Sequence, residues 1–321
     1  VNEKDGTWKD SFKWVCGTYL IILLLFVLLR IVASMEWVSR IDIRWVEWGF
    51  TFISQVLIMF AVPIISIIIY KKRNKINEKT FKSFGFDKPR ARIILWAIVL
   101  GVLCYLFNIF VAGFFSGILT LVGFRFPATG SNSFVGIEGF IIAMIMVGVM
   151  PGVCEEVTHR GMLLKSSTAK MGTIRAVVLT ALLFGFMHLN IVQMFYATIL
   201  GIIIALAVVA TKSIWVGIII HFMNNGLGTY FSFAHRYEWA GNTELGWFLS
   251  NVAGSLMFYV LSVILLYVCI MHIIRYKFNL SGAIKPAPSK IKLDAGERTL
   301  LSGIIFLGLV ITGMTLVWGL L

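Results

Sequence analysis

Residues 93–122 read IILWAIVLGVLCYLFNIFVAGFFSGILTLV, a run with no Lys, Arg, Asp or Glu. At about 1.5 Å of rise per helical residue it exceeds the roughly 20 residues that span a hydrocarbon layer about 30 Å thick. Leu245–Ile274 has the same character. Across all 321 residues 59% are apolar and 13% are charged, against roughly 25% charged in a soluble domain. There is too little charge to coat a water-facing surface, which excludes an ordinary soluble enzyme and points to an all-α, polytopic transmembrane helical bundle.

Apolar runs bounded by charges or turn residues predict nine spans, at 15–33, 48–70, 93–122, 137–164, 176–189, 191–211, 213–231, 245–274 and 299–321. With the amino end in the cytoplasm, Lys4, Lys9, Lys13, the nine basic residues from Lys71 to Arg92, Lys165, Lys170, Arg175, Lys212 and the six from Arg275 to Arg298 fall inside. Only Arg40, Arg44, Arg125 and Arg236 fall in outer connections, the asymmetry of the positive-inside rule. Residues 281–297, with Pro286, Pro288 and alternating charges, read as a cytoplasmic loop. The whole of 1–321 reads as a single membrane domain, integral and multi-pass, with a prokaryotic plasma membrane as its expected location. A net charge of +13 distributed between apolar runs suits a lipid bilayer with anionic headgroups and not a nucleic acid. Cys16, Cys104, Cys154 and Cys269 are scattered through apolar stretches and read as core residues. Glu36, Asp42 and Glu47 with Arg40 and Arg44 fit a short amphipathic helix on the outer surface or a solvated loop.

An ionisable group inside a span needs a partner or a task. Three places have them: Glu155-Glu156-Val157-Thr158-His159-Arg160, Phe184-Gly185-Phe186-Met187-His188 and His221-Phe222-Met223-Asn224-Asn225. Glu156 and Arg160, at i and i+4, are spaced for an ion pair, which leaves Glu155 to face something else. His221 and Asn225 share a face, with Asn224 off it. Counted from Lys165, Arg175 and Lys212, the carboxylate of Glu155 and the rings of His188 and His221 lie roughly 15, 20 and 14 Å from one boundary if all three stretches are helical. Helices 137–231 thus present polar groups at one level.

Such a set could hydrolyse a peptide bond. Glu155 would act as general base, His188 would orient and help deprotonate the same water, and His221 with Asn225 would stabilise the oxyanion. The same Glu155, His188 and His221 could instead hold a zinc ion with an open water position. No H-E-x-x-H is present, and the metal-free chemistry, with no cofactor, is the expected one.

These residues resemble the CPBP (Abi) intramembrane protease family, which includes the type II CAAX prenyl endopeptidases. The family's E-E-x-x-x-R matches Glu155, Glu156 and Arg160; its F-x-x-x-H matches Phe184 and His188; its H-x-x-x-N matches His221 and Asn225. The resemblance implies an eight-helix protease core with a cavity opening towards the cytosol. It also implies water activation by Glu155 and His188, an oxyanion hole from His221 and Asn225, supporting roles for Glu156 and Arg160, and a prenylated or other membrane-associated peptide as substrate. One position departs from the pattern: the residue before the motif arginine is commonly Phe, and here it is His159, preceded by Thr158. His159 is expected as a cytoplasm-facing residue near the helix end; turned inward, it would reach the Glu155 or Glu156 carboxylate and weaken the base. Two other functions use such residues: a non-cleaving regulator or scaffold of the same fold, and a proton-coupled transporter. The inverted repeats common in transporters are not evident here.

Overall fold

The computed structural model describes residues 8–125, 134–188, 190–237, 256–286, 288 and 291–320. Its described residues are helical with no strand. Helix α1 is Phe12–Ala33, α2 Ile43–Arg73, α3 Thr80–Phe84, α4 Ala91–Leu121, α5 Gly136–Met171, α6 Thr173–Phe186, α7 Ile191–Thr211, α8 Ile214–Arg236, α9 Leu256–His272 and α10 Ala295–Leu320. Six of them (α1, α2, α4, α5, α7 and α10) are long and apolar enough to cross a membrane.

Helices occupy the positions of the nine expected spans, six of them long and apolar enough to cross and α8, at the expected 213–231, not among those six; two differ in extent. The span placed at 176–189 is the helix Thr173–Phe186, whose 14 residues rise only about 21 Å and stop short of a crossing. The span placed at 48–70 begins earlier, at Ile43, because Asp42 caps it by accepting the Arg44 N–H at 2.8 Å. No separate amphipathic helix lies in that outer connection, only the turn Val38–Arg40. The first part of the span expected at 245–274 lies outside the described residues.

Burial follows helical periodicity. On α1, Phe12, Val15, Cys16, Tyr19, Ile22 and Leu23 face inward while Ile21, Leu24 and Leu28 are exposed, the one-sided stripe of a helix with lipid on its other face. Cys16, Cys104 and Cys154 are buried and Cys269 is half-buried; all are free thiols. Helix α8 is central, packed on α4, α5 and α7, while α6 pairs with α7 and α10 with α1.

Two spanning helices contain prolines whose consequences reach the site. Pro63 in α2 and Pro151 in α5 have no N–H to return to the carbonyls four residues back, Met59 and Val147. Side chains from neighbouring helices use those carbonyls instead: Thr158 Oγ1 donates to Met59 O at 2.5 Å, and Asn225 Nδ2 to Val147 O at 3.1 Å. In a bilayer, where water is absent, freed backbone groups need such partners. Wide π-type turns occupy Ile53–Ala61, Met144–Val149 and Val157–Leu164, so the segment carrying Gln55 and the residues following Glu155-Glu156 are among those that depart from regular α geometry.

Candidate active site

Phe184, on the last turn of α6, is the hub of the site. The rings of His159, His188 and His221 approach its ring edge-on, with centroids 5.0, 5.1 and 5.6 Å away. The Arg160 guanidinium lies 4.5 Å from the same centroid, a cation–π contact strengthened by exclusion of water. Helices α5, α6 and α8 therefore meet on one phenyl ring.

Arg160 Nη1 donates to Glu156 Oε1 at 2.7 Å, and both side chains are almost completely buried. Arg160 Nη2 donates to the Gly201 carbonyl at 3.1 Å. The i,i+4 pair read from sequence is present, yet it is only part of the arrangement. Glu156 Oε1 also accepts from His221 Nδ1 at 3.0 Å, so Glu156 ties α5 to α8. Space for its second oxygen is left by Gly217, where a Cβ would come within 2.7 Å of Oε2 and 2.9 Å of Val208 Cγ2. Removing a partner from such a buried pair costs about 3–5 kcal/mol, because the survivor's charge is left uncompensated.

Glu155 has a partner that the sequence reading missed. Gln55 Nε2, from α2, donates to Glu155 Oε1 at 2.8 Å. The other oxygen, Oε2, lies 3.9 Å from His221 Nε2, too far for a direct hydrogen bond. Gln55 had a legible signal: it is a lone amide in the middle of an apolar run, where a polar group without a partner is costly. A search confined to ionisable groups passes over it.

The histidine tautomers follow from their partners. His188 Nδ1 lies 2.9 Å from the Phe184 carbonyl, which can only accept, so Nδ1 carries hydrogen and the neutral ring keeps a lone pair on Nε2. His159 Nδ1 is bound in the same way to the Glu155 carbonyl at 2.9 Å. Its Nε2 is 3.2 Å from the oxygen of Tyr19, whose one hydroxyl hydrogen is donated to the Leu183 carbonyl at 2.8 Å.

His159 corrects the expectation of a surface residue, since it has no exposed area. Helix α5 continues past Lys165 to Met171, so the level taken for its end is still interior. His159 meets the backbone of Glu155, not either carboxylate, and its ring packs on Phe184 where the family pattern has an aromatic residue.

The structure thus groups Glu156, Arg160, Phe184, His188 and His221 by direct contact, and brings Glu155 Oε2 to 3.9 Å from His221 Nε2. Asn225 lies one turn beyond His221 on the wall of a cavity of about 650 Å3. That cavity lies between the ends of α4, α5, α7 and α8 remote from Arg92, Lys165 and Lys212; with the amino end placed in the cytoplasm as expected, this is the opposite direction from the cytosolic opening the resemblance implies. Among the described residues no three His, Cys, Asp or Glu side chains are arranged to hold a metal ion. His188 and His221 each commit Nδ1 to a neighbouring oxygen, which leaves Nε2 as the free ring nitrogen.

A multi-helix membrane bundle with a carboxylate and histidines gathered at its centre defines the class, an integral membrane protein with a polar core site. Residues 137–227 match the family model for type II CAAX prenyl endopeptidase Rce1-like proteins. The match agrees with the resemblance carried by the three motifs and ties this segment to the CAAX-type endopeptidases. No curated protein and no solved structure matches the chain.

Proposed function

We propose that the protein is an intramembrane endopeptidase that hydrolyses a prenylated or otherwise membrane-associated peptide with a water activated by Glu155 and His188. The observation that carries this reading is the approach of the Glu155 carboxylate to within 3.9 Å of His221 Nε2, with His221 and His188 both packed on Phe184. Glu155 is held at Oε1 by Gln55, which leaves Oε2 to take a proton. The Nε2 lone pair of His188 accepts the water's second hydrogen and aims the oxygen. Water attacks the scissile carbonyl as its proton passes to Glu155; the tetrahedral intermediate collapses as Glu155 returns that proton to the leaving amine.

The oxyanion needs donors already in place. Asn225 commits one Nδ2 hydrogen to Val147 and has a second to give. His221 donates from Nε2 when both ring nitrogens carry hydrogen, since Nδ1 is held by Glu156. In that state Glu155, Glu156, Arg160 and His221 sum to zero charge, the least costly total at this depth. The test is cleavage of a fluorogenic farnesylated CAAX peptide by the purified protein. Glu155→Ala and His188→Ala each lower kcat by at least about a hundredfold, the range for loss of a general base; a variant that retains parental kcat removes that residue from the mechanism.

A further inference from the structure

Three asparagines run in a directed chain beside the catalytic group. Asn108 Nδ2, on α4, donates to Asn224 Oδ1 at 2.9 Å; Asn224 Nδ2 donates to Asn225 Oδ1 at 3.0 Å; Asn225 Nδ2 donates to the Val147 carbonyl at 3.1 Å. The nitrogen and oxygen of an amide are assigned from such networks, and here the assignment is forced from one end. A backbone carbonyl only accepts, so Asn225 must turn its nitrogen to Val147, its oxygen to Asn224, and so on along the chain.

The chain therefore leaves one group over. Asn108 is 7% exposed, and its Oδ1 has no hydrogen-bond partner among the described residues. A buried acceptor left in this way is unfavourable by about 1–3 kcal/mol until a donor reaches it. Asn108 lines the cavity of about 650 Å3, together with Asn224, Asn225, Gln193 and Tyr196. That volume is within the range of binding pockets, roughly 300–1,000 Å3. The cavity begins at Asn225, one helical turn from His221, and its polar side chains are amides and hydroxyls apart from Arg236, which donates to the Phe134 carbonyl at 3.0 Å.

We infer that this cavity binds the extended main chain of the peptide substrate and that Asn108 Oδ1 accepts one of its backbone N–H groups. The choice of a peptide as ligand rests on the endopeptidase reading. A peptide backbone supplies a donor at every residue whatever its side chains, which suits a wall of amides. Because Asn108 also starts the chain that ends at Asn225, a seated substrate and the oriented Asn225 amide are linked through Asn224.

The inference is tested by binding, separately from cleavage. The probe is a fluorescent farnesylated CAAX peptide and a series in which each backbone N–H in turn is replaced by an ester oxygen, titrated against Glu155→Ala protein in nanodiscs. One ester weakens binding about tenfold, the size of one hydrogen bond to a buried group. That penalty disappears when Asn108→Leu is added and persists with Asn108→Asp, which keeps an acceptor; thermal unfolding establishes that both variants are folded. Equal tolerance of every ester, a penalty unchanged by Asn108→Leu, or no binding overturns the inference. A position-specific penalty in a protein whose Glu155-containing form cleaves nothing upholds the inference and overturns the endopeptidase reading.

Discussion

Glu156 makes two contacts, of which sequence spacing shows one. Its pairing with Arg160 is local, at i and i+4, and legible from the chain; its bond to His221 joins residues 65 apart and depends on how α5 and α8 pack. Thermal unfolding in detergent should show Glu156→Gln and Arg160→Met each destabilising by about 3 kcal/mol or more, and the double variant less than the sum, because removing both avoids a lone buried charge. Additive losses would mean that the two groups do not pair. Gly217→Ala places a methyl against Glu156 Oε2, and overpacking of this kind costs about 1–3 kcal/mol; the same unfolding assay reads it. His159 was misplaced by counting from Lys165 as though it ended the helix. Gln55 and Asn108 escaped because neutral amides were not weighed as charges were.

Helix ends position the site. Asn190 stands at the turn after His188, and its Oδ1 accepts the N–H groups of Val192 and Gln193, both at 3.0 Å, capping α7. Asn190→Ala should cost about 1 kcal/mol and loosen the turn that holds His188, read as earlier hydrogen exchange at Val192 and Gln193. At the start of α2, hydrogen bonds from the Arg44 side chain and backbone hold the Asp42 carboxyl at about 2, below its ordinary 3.8. A lowered folded-state value means that the contribution to stability is full above about pH 4 and fades as pH falls through about 2. Exchange protection at Arg44, Trp45 and Val46 should decline over that window in the parent and be independent of it in Asp42→Asn. The prolines show why element boundaries were more legible than element contacts. Pro63 and Pro151 mark weak points in any reading of the chain, but which side chains use the freed carbonyls emerges only when Thr158 and Asn225 arrive from other helices.

For the whole molecule, composition alone was enough for a helical membrane bundle, since 59% apolar residues leave no water-soluble arrangement of this chain. The number of crossings was less legible, because a run such as 176–189 has the composition of a span but forms a helix only 14 residues long. The direction of the cavity was not legible either: it depends on how α4, α5, α7 and α8 splay beyond His221. Placing the amino end in the cytoplasm predicts that single cysteines introduced at Lys75 and Lys82, in a background with the native cysteines replaced, react with a membrane-impermeant maleimide only from the cytoplasmic side. Labelling from the outside would invert the topology and with it the side to which the cavity opens.

The central claim is that a carboxylate, unaided by metal, activates water within this bundle. The most direct measurement follows cleavage of the farnesylated CAAX peptide by the parent, Glu155→Gln and His188→Ala, each with and without a chelator. The account predicts parental cleavage that is indifferent to chelation and is lost in both variants. Cleavage abolished by chelation and restored by zinc, or retained in Glu155→Gln, would contradict it.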